Sequence, residues 1–247
     1  METIGRFSHF ALRAFWAALA SLHRPRECCR QFYRIYVGAL PLAGVTGLAL
    51  GLVIWMHLHQ VLLNLGTGYV DLLPRALGLA VTLEFAPIGA GLIVAGRSGA
   101  SLGAELGSMK LSEQIDAIEV LGISPMKLLV GPRVLACILA LPLLTVVITA
   151  LAVAGSFLAE VLGGSMSWQG YQNELLRDLR LADVIPAILK TSVFGFLVGV
   201  TGCYFGVHAD GGTEGVGRAA TRGVVVSIFL VAVSNVFLVR IIQLIGA

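Results

Sequence analysis

Apolar residues along this chain gather in long blocks instead of alternating with polar ones. Five windows of about 20 residues or more carry little charge: roughly Val37 to Leu58, Ala76 to Gly96, Val134 to Leu162, Ile185 to Val207 and Gly223 to Gly246. As helices they are each long enough to cross the roughly 30 Å of hydrocarbon in a bilayer. Hydrocarbon offers no partner to an unpaired backbone group, so each window predicts a helix. The pattern defines an all-α integral membrane protein with five transmembrane helices.

Two amphipathic segments interrupt this plan. Residues 5 to 23, GRFSHFALRAFWAALASLH, put Arg6, His9, Arg13 and His23 on one arc and Phe7, Phe10, Ala11, Ala14, Ala18 and Leu22 on the other. This predicts a helix lying at the membrane interface, ended by His-Arg-Pro-Arg at 23 to 26. The chain then divides into residues 1–35, an N-terminal interfacial segment, and residues 36–247, the five-span domain. The second segment, GAELGSMKLSEQIDAIEVLGISP at 103 to 125, places acids between two apolar runs. Ser112 is positioned to cap a helix whose first turn holds Glu113, and Gly122 and Pro125 are positioned to end it. Its wheel puts Leu111, Ile115 and Ile118 on one side and Glu113, Asp116 and Glu119 on the other.

Composition agrees with a membrane protein. The chain is 57% hydrophobic and 13% charged, against roughly 25% charged in soluble domains. The net charge of +3 is small, so its distribution matters more. With the N-terminus in the cytoplasm, Arg6, Arg13, Arg24, Arg26, Arg30, Arg34, Arg97, Lys110, Lys127, Arg133, Arg218 and Arg222 fall inside, leaving Arg75, Arg177, Arg180, Lys190 and Arg240 outside or within spans. The positive-inside rule therefore places the N-terminus in, the C-terminus out and residues 103–125 in the cytoplasm. The loops at 64–71 and 163–183 are then external, and neither is large enough for a receptor domain. Cys28, Cys29, Cys137 and Cys203 form no CxxC, so neither a disulfide nor a metal site is expected. No short apolar core with a small-residue cleavage site begins the chain, so no removable secretory signal is expected.

Candidate chemistry is sparse. Glu84 lies near the middle of the second span, where insertion scales place a charged acid at roughly +2.5 to 3.5 kcal/mol. It needs a partner, a proton or water, and either lines a transport cavity or makes a protonated interhelical bond. Pro87 loosens the helix just beyond it. Lys190, Asn235 and Arg240 read as snorkelling or interhelical bonding residues. Gly47 and Gly51, Gly99, Gly103 and Gly107, and Gly195 and Gly199 recur at the four-residue spacing that lets helices approach closely. His57 and His59 point to different sides of a helix and lack acidic or Cys neighbours. There is no GxxxxGK[ST], GxSxG or HExxH, so no enzymatic activity is expected of this chain.

Two stretches resemble the MlaE family of ABC permeases, which serve Mce-protein lipid transport systems. They are LEFAPIGAGLIVAGRSGASLGAELGSMKLSEQIDAIEVLGISPMKLLVGPRVLACILALPLLTVV, residues 83 to 147, and GGTEGVGRAATRGVVVS, residues 211 to 227. The order AGR, AELG, EQIDA, PRV and LPLLT is specific, and weaker similarity covers nearly the whole chain. The resemblance implies a homodimeric permease in the cell inner membrane, or alternatively in a plastid inner envelope. It implies cytoplasmic ABC ATPase subunits that bind ATP and Mg, no cofactor in this chain, an Mce-domain protein on the periplasmic side, a lipid substrate, often a glycerophospholipid and in some branches a sterol or fatty acid, and no nucleic acid. The family's coupling helix falls on Glu113, Gln114, Asp116, Ala117, Glu119 and Gly122, and its lipid-cavity glutamate on Glu84, beside Phe85 and Pro87. Glu214, Arg218 and Arg222 fall in a glycine-rich turn that is an ATPase-side candidate. Where the family often has Arg-Glu-Leu-Gly-Pro, this chain has Leu83 for the arginine, so an ion-paired Glu84 is not expected. A reading of another class, a self-contained proton-coupled secondary transporter using Glu84, expects internal repeats, and none is convincing.

Overall fold

The computed structural model describes residues 2–163 and 166–246, so Gly164 and Ser165 of the 163–183 loop lie outside the described residues. An opening helix, α1 (Glu2–Ala20), ends in a single 3-10 turn at Ser21–His23. Helix α2 (Pro25–Leu65) then starts with proline in its first turn, where the missing N–H costs nothing. The other spanning helices are α3 (Tyr69–Leu111), α5 (Met126–Gly163), α7 (Leu181–Val207) and α8 (Gly212–Gly246). Two short helices, α4 (Gln114–Val120) and α6 (Trp168–Leu176), lie between them. All five spanning helices except α7 run well past the apolar windows, because polar helical residues continue beyond the hydrocarbon-length stretch.

Helix α5 is the centre of the bundle, packing on α2 along one flank and on α7 along another, while α7 packs in turn on α8 and α3. Close approach explains the first contact. A Cβ at Gly51 would overlap the Ala152 backbone, and one at Gly47 would sit 2.9 Å from the Ile148 carbonyl oxygen. On the other flank a Cβ at Gly195 would overlap the backbone at Cys137. Gly103 and Gly107 face the start of α8, where a Cβ would lie 3.1 Å from Ala220 Cα and 3.2 Å from a Val216 methyl, whereas one at Gly99 would make ordinary contact with Val198.

Helices α2 and α8 are peripheral. Only 22% and 17% of their most apolar stretches are buried, against 44 to 56% in the other three. Val225, Phe229, Val236 and Phe237 of α8 are exposed, as are Val45, Val53 and Met56 of α2. Helix α1 lies along α5 and α7, with Ala14, Ala17 and Ala18 buried and Phe7 and Phe10 edge-on to Tyr204. Leu22, placed on that inward arc by the wheel, is instead exposed, together with Leu12, Phe15, Trp16 and Leu19.

The longer connection is ordered by α6. Ser167 caps it by accepting from Gly170 N–H at 3.3 Å, and fully buried Tyr171 lies 2.6 Å from the Ser156 hydroxyl. Arg75 pairs with Asp178, joining the start of α3 to the segment after α6.

Candidate functional site

Within the spans, Glu84 meets a cation. Lys190 Nζ of α7 donates to Glu84 Oε1 at 3.0 Å, and Asn235 Nδ2 of α8 donates to Glu84 Oε2 at 3.1 Å. The expectation of an unpaired Glu84 is therefore corrected: Leu83 removes a neighbouring arginine, but the charge partner comes from another helix. Lys190 is 4% exposed, so it does not snorkel to the surface.

Proline supplies the third contact. Pro87 has no N–H and cannot give Leu83 its i→i+4 hydrogen bond. Glu84 lies in a π-helical turn, Val81–Phe85, just before it. The Leu83 carbonyl accepts from Lys190 Nζ at 2.7 Å, so the ammonium is held by one carboxylate and one carbonyl. Asn235 Oδ1 is buried and has no hydrogen-bond partner among the described residues.

Glu84 and Lys190 form one wall of a cavity of about 270 Å³. Leu83, Ala187, Val239 and Ile242 supply apolar walls, and Asp183 and Gln243 further polar atoms. Of the three predicted cavity residues, Glu84 lines it. Phe85 is half-exposed and Pro87 is buried, and neither lines it. Sequence reasoning missed Asp183 and Gln243 and gave Lys190 and Asn235 no joint role. The available signal was depth: Glu84 and Lys190 both lie a few turns from the same ends of their apolar windows.

The segment after α3 departs from its predicted capping. Ser112 closes the preceding helix, with its N–H and hydroxyl both donating to the Ser108 carbonyl, and it does not cap α4. Glu113 precedes α4 in the left-handed region, φ 58°. The other end follows the sequence: Gly122 at φ 74° donates to the Glu119 carbonyl and Ile123 to that of Ile118, a Schellman stop. Ile115 is buried and Ile118 packs on the core, while Leu111, placed on the same stripe, is exposed. Asp116 accepts from Lys110 Nζ at 2.7 Å. Glu113, Gln114, Ala117, Glu119 and Gly122 are exposed beside Val120 and Leu121, at 88% and 74%. The outer surface is thus acidic and apolar together.

The predicted glycine-rich turn is shorter than expected. Gly211 and Gly212 take positive φ and α8 begins at once, so Glu214, Arg218 and Arg222 are successive helical turns on an exposed face. Arg218 and Glu214 approach to 3.8 Å.

A bundle of five spanning helices with a charged, hydrogen-bonded group facing an apolar-walled cavity defines a polytopic membrane protein with an embedded polar site. The profile of the family described as Permease MlaE matches residues 28–241, and the chain belongs to that family. It is 34% identical over 238 residues to a probable ABC transporter permease protein of Rickettsia typhi, covering 95% of this chain and 90% of that one. A probable ABC transporter permease protein of Synechocystis is 36% identical over 162 residues, 66% of this chain and 62% of its own. The chloroplastic protein Trigalactosyldiacylglycerol 1 of Arabidopsis thaliana is 40% identical over 152 residues, 62% of this chain and 43% of its own. The chain is a permease subunit.

Proposed function

We propose that this permease moves lipids, with glycerophospholipids as the substrate class, through the cell inner membrane at the Glu84 cavity. The carrying observation is the Glu84–Lys190 ion pair on the wall of an otherwise largely apolar cavity, with Asn235 holding Glu84 from behind. Paired charge offers hydrogen bonds to a polar headgroup, and the apolar walls suit acyl chains. The plant relative is named for a trigalactosyldiacylglycerol, which is a glycerolipid.

In this reading the cavity is completed by a second copy of the chain. Val239, Ile242 and Gln243 come from α8, a peripheral span with an exposed apolar stripe. Separate ATPase chains bind ATP and Mg and dock on the cytoplasmic surface of α4, with the helical face of Glu214, Arg218 and Arg222 as a second contact. An Mce-domain protein exchanges lipid on the periplasmic side, where the C-terminus lies, and α1 rests its exposed Leu12, Phe15, Trp16 and Leu19 in the cytoplasmic interface.

Native mass spectrometry of the gently solubilised assembly tests this reading. Two permease chains, ATPase chains and bound glycerophospholipid are expected together, with lipid occupancy lowered in Lys190→Met. A monomer that carries neither lipid nor ATPase would count against it.

A further inference from the structure

About 20 Å along α3 from Glu84 at the usual helical rise, a second π-helical turn, Ala95–Gly99, presents Arg97 and Ser98. An acid is close by but is already engaged. Glu105 accepts from Arg34 Nη1 at 3.1 Å and from Arg133 Nη2 at 2.9 Å, binding α2, α3 and α5 together at this end. Arg97 forms no hydrogen bond or ion pair with any described residue. Its guanidinium lies against α2 at Gly38, where a Cβ would overlap it.

Ser98 sharpens the picture. It is 4% exposed, and its buried hydroxyl has no partner among the described residues. Ser98, Arg97, Arg34, Gln31, Ser101 and Glu105 line a cavity of about 190 Å³. Buried hydroxyls ordinarily find partners, whereas Arg97 and Arg34 are exposed and stand at the mouth of the bundle. Here an orphaned donor and an unpaired guanidinium share one cavity.

We propose that this cavity binds the phosphate of a phospholipid headgroup, at the end of the bundle that carries residues 112–125. A phosphodiester is a monoanion with several acceptor oxygens. Arg97 offers forked N–H donors to it, Arg34 the N–H groups that Glu105 does not hold, and the Ser98 hydroxyl a further one. Position favours a lipid over free phosphate: Arg34 lies just before the apolar window of α2, and Arg97 just after that of α3, so both stand where hydrocarbon gives way to headgroups. Exposed Tyr33 and Val37 line a neighbouring hollow that shares Gln31 and Arg34 with this cavity, an aromatic and an apolar residue at interface depth. Basic pockets between spanning helices bind anionic headgroups by this chemistry. The site is separate from the Glu84 cavity and does not rest on the function proposed for it.

The test is a count of lipids retained by the full chain after extraction from nanodiscs of phosphatidylcholine doped with phosphatidylglycerol. Wild type is expected to keep a phospholipid that Arg97→Gln loses, with about tenfold weaker retention from the loss of a charge-assisted contact. Ser98→Ala is expected to weaken it less, Arg97→Lys to keep most of it, and Arg26→Gln, which removes an exposed arginine outside the cavity, to leave it unchanged. Dioleoylglycerol, which has no phosphate, is expected not to compete. Equal retention in wild type, Arg97→Gln and Ser98→Ala would overturn the proposal, as would equal competition by dioleoylglycerol. Saturation by inorganic phosphate without phospholipid retention would overturn the lipid source. Melting of each variant in lipid-free detergent separates a folding defect from a lost ligand.

Discussion

Leu83, Pro87 and Lys190 show how one residue's missing donor becomes another's ligand. Proline withholds a backbone hydrogen bond, and an ammonium that needs acceptors inside the membrane takes the carbonyl, adding Glu84 as counter-charge. The consequence is asymmetric under mutation. Glu84→Leu leaves the 4%-exposed Lys190 without its counter-ion and is expected to destabilise the protein by about 3 kcal/mol or more, because an uncompensated buried charge remains. Glu84→Gln keeps an acceptor and should cost about 1 kcal/mol. The double variant Glu84→Leu with Lys190→Met should recover most of the loss, since it removes both charges. Thermal unfolding of the four proteins in one detergent checks this; equal losses in Glu84→Leu and the double variant would show that the pair is not coupled. Glu84 was legible in the sequence as an isolated acid in an apolar window. Its partners were not, because a hydropathy window treats each helix alone, and Leu83 drew attention to the neighbouring position instead of to α7.

Glycines decide where the helices meet. At Gly51 and Gly195 the facing backbone occupies the place of a Cβ, so Gly51→Val or Gly195→Val must push α2 or α7 away from α5. Each is expected to lower stability by about 3 kcal/mol, the upper end of overpacking costs, readable as a fall in melting temperature or yield of monodisperse protein. A milder contrast lies around α4. Gly122→Ala forces a side chain into the left-handed region and should cost about 1 kcal/mol, whereas Glu113→Gly relieves the same strain and should cost nothing. The C-terminal stop of α4 was visible from Gly122 and Pro125, since a left-handed glycine has few other uses after an amphipathic run. Its start was not: Ser112 had a nearer acceptor in the preceding turn, and hydroxyls choose locally between helix start and helix end. The spans themselves were readable because twenty consecutive apolar residues admit few structures other than a membrane helix. Their ends were not, as helices continue into polar sequence once they leave the hydrocarbon.

At the scale of the whole molecule, the centre is glycine-packed and the periphery exposes apolar helix faces. Force enters such a bundle at its ends. In the proposed assembly α4 is the point of entry, with Glu113 and Glu119 exposed beside Val120 and Leu121. Reversing Glu113, Asp116 and Glu119 to lysine should abolish co-purification with the ATPase while leaving the bundle's melting temperature within a few degrees, because the changed side chains lie outside the core. Retention of the ATPase after triple reversal would remove α4 from the interface. The central claim is that ATP hydrolysis in partner chains moves lipid through this permease. Its most direct measurement is transfer of a fluorescent phospholipid by the complete complex in proteoliposomes, followed with and without ATP and under an imposed pH gradient. Transfer that requires ATP, is insensitive to the gradient and is lost in Lys190→Met is the expected result; transfer by the purified chain alone, driven by the pH gradient without ATP, would contradict it.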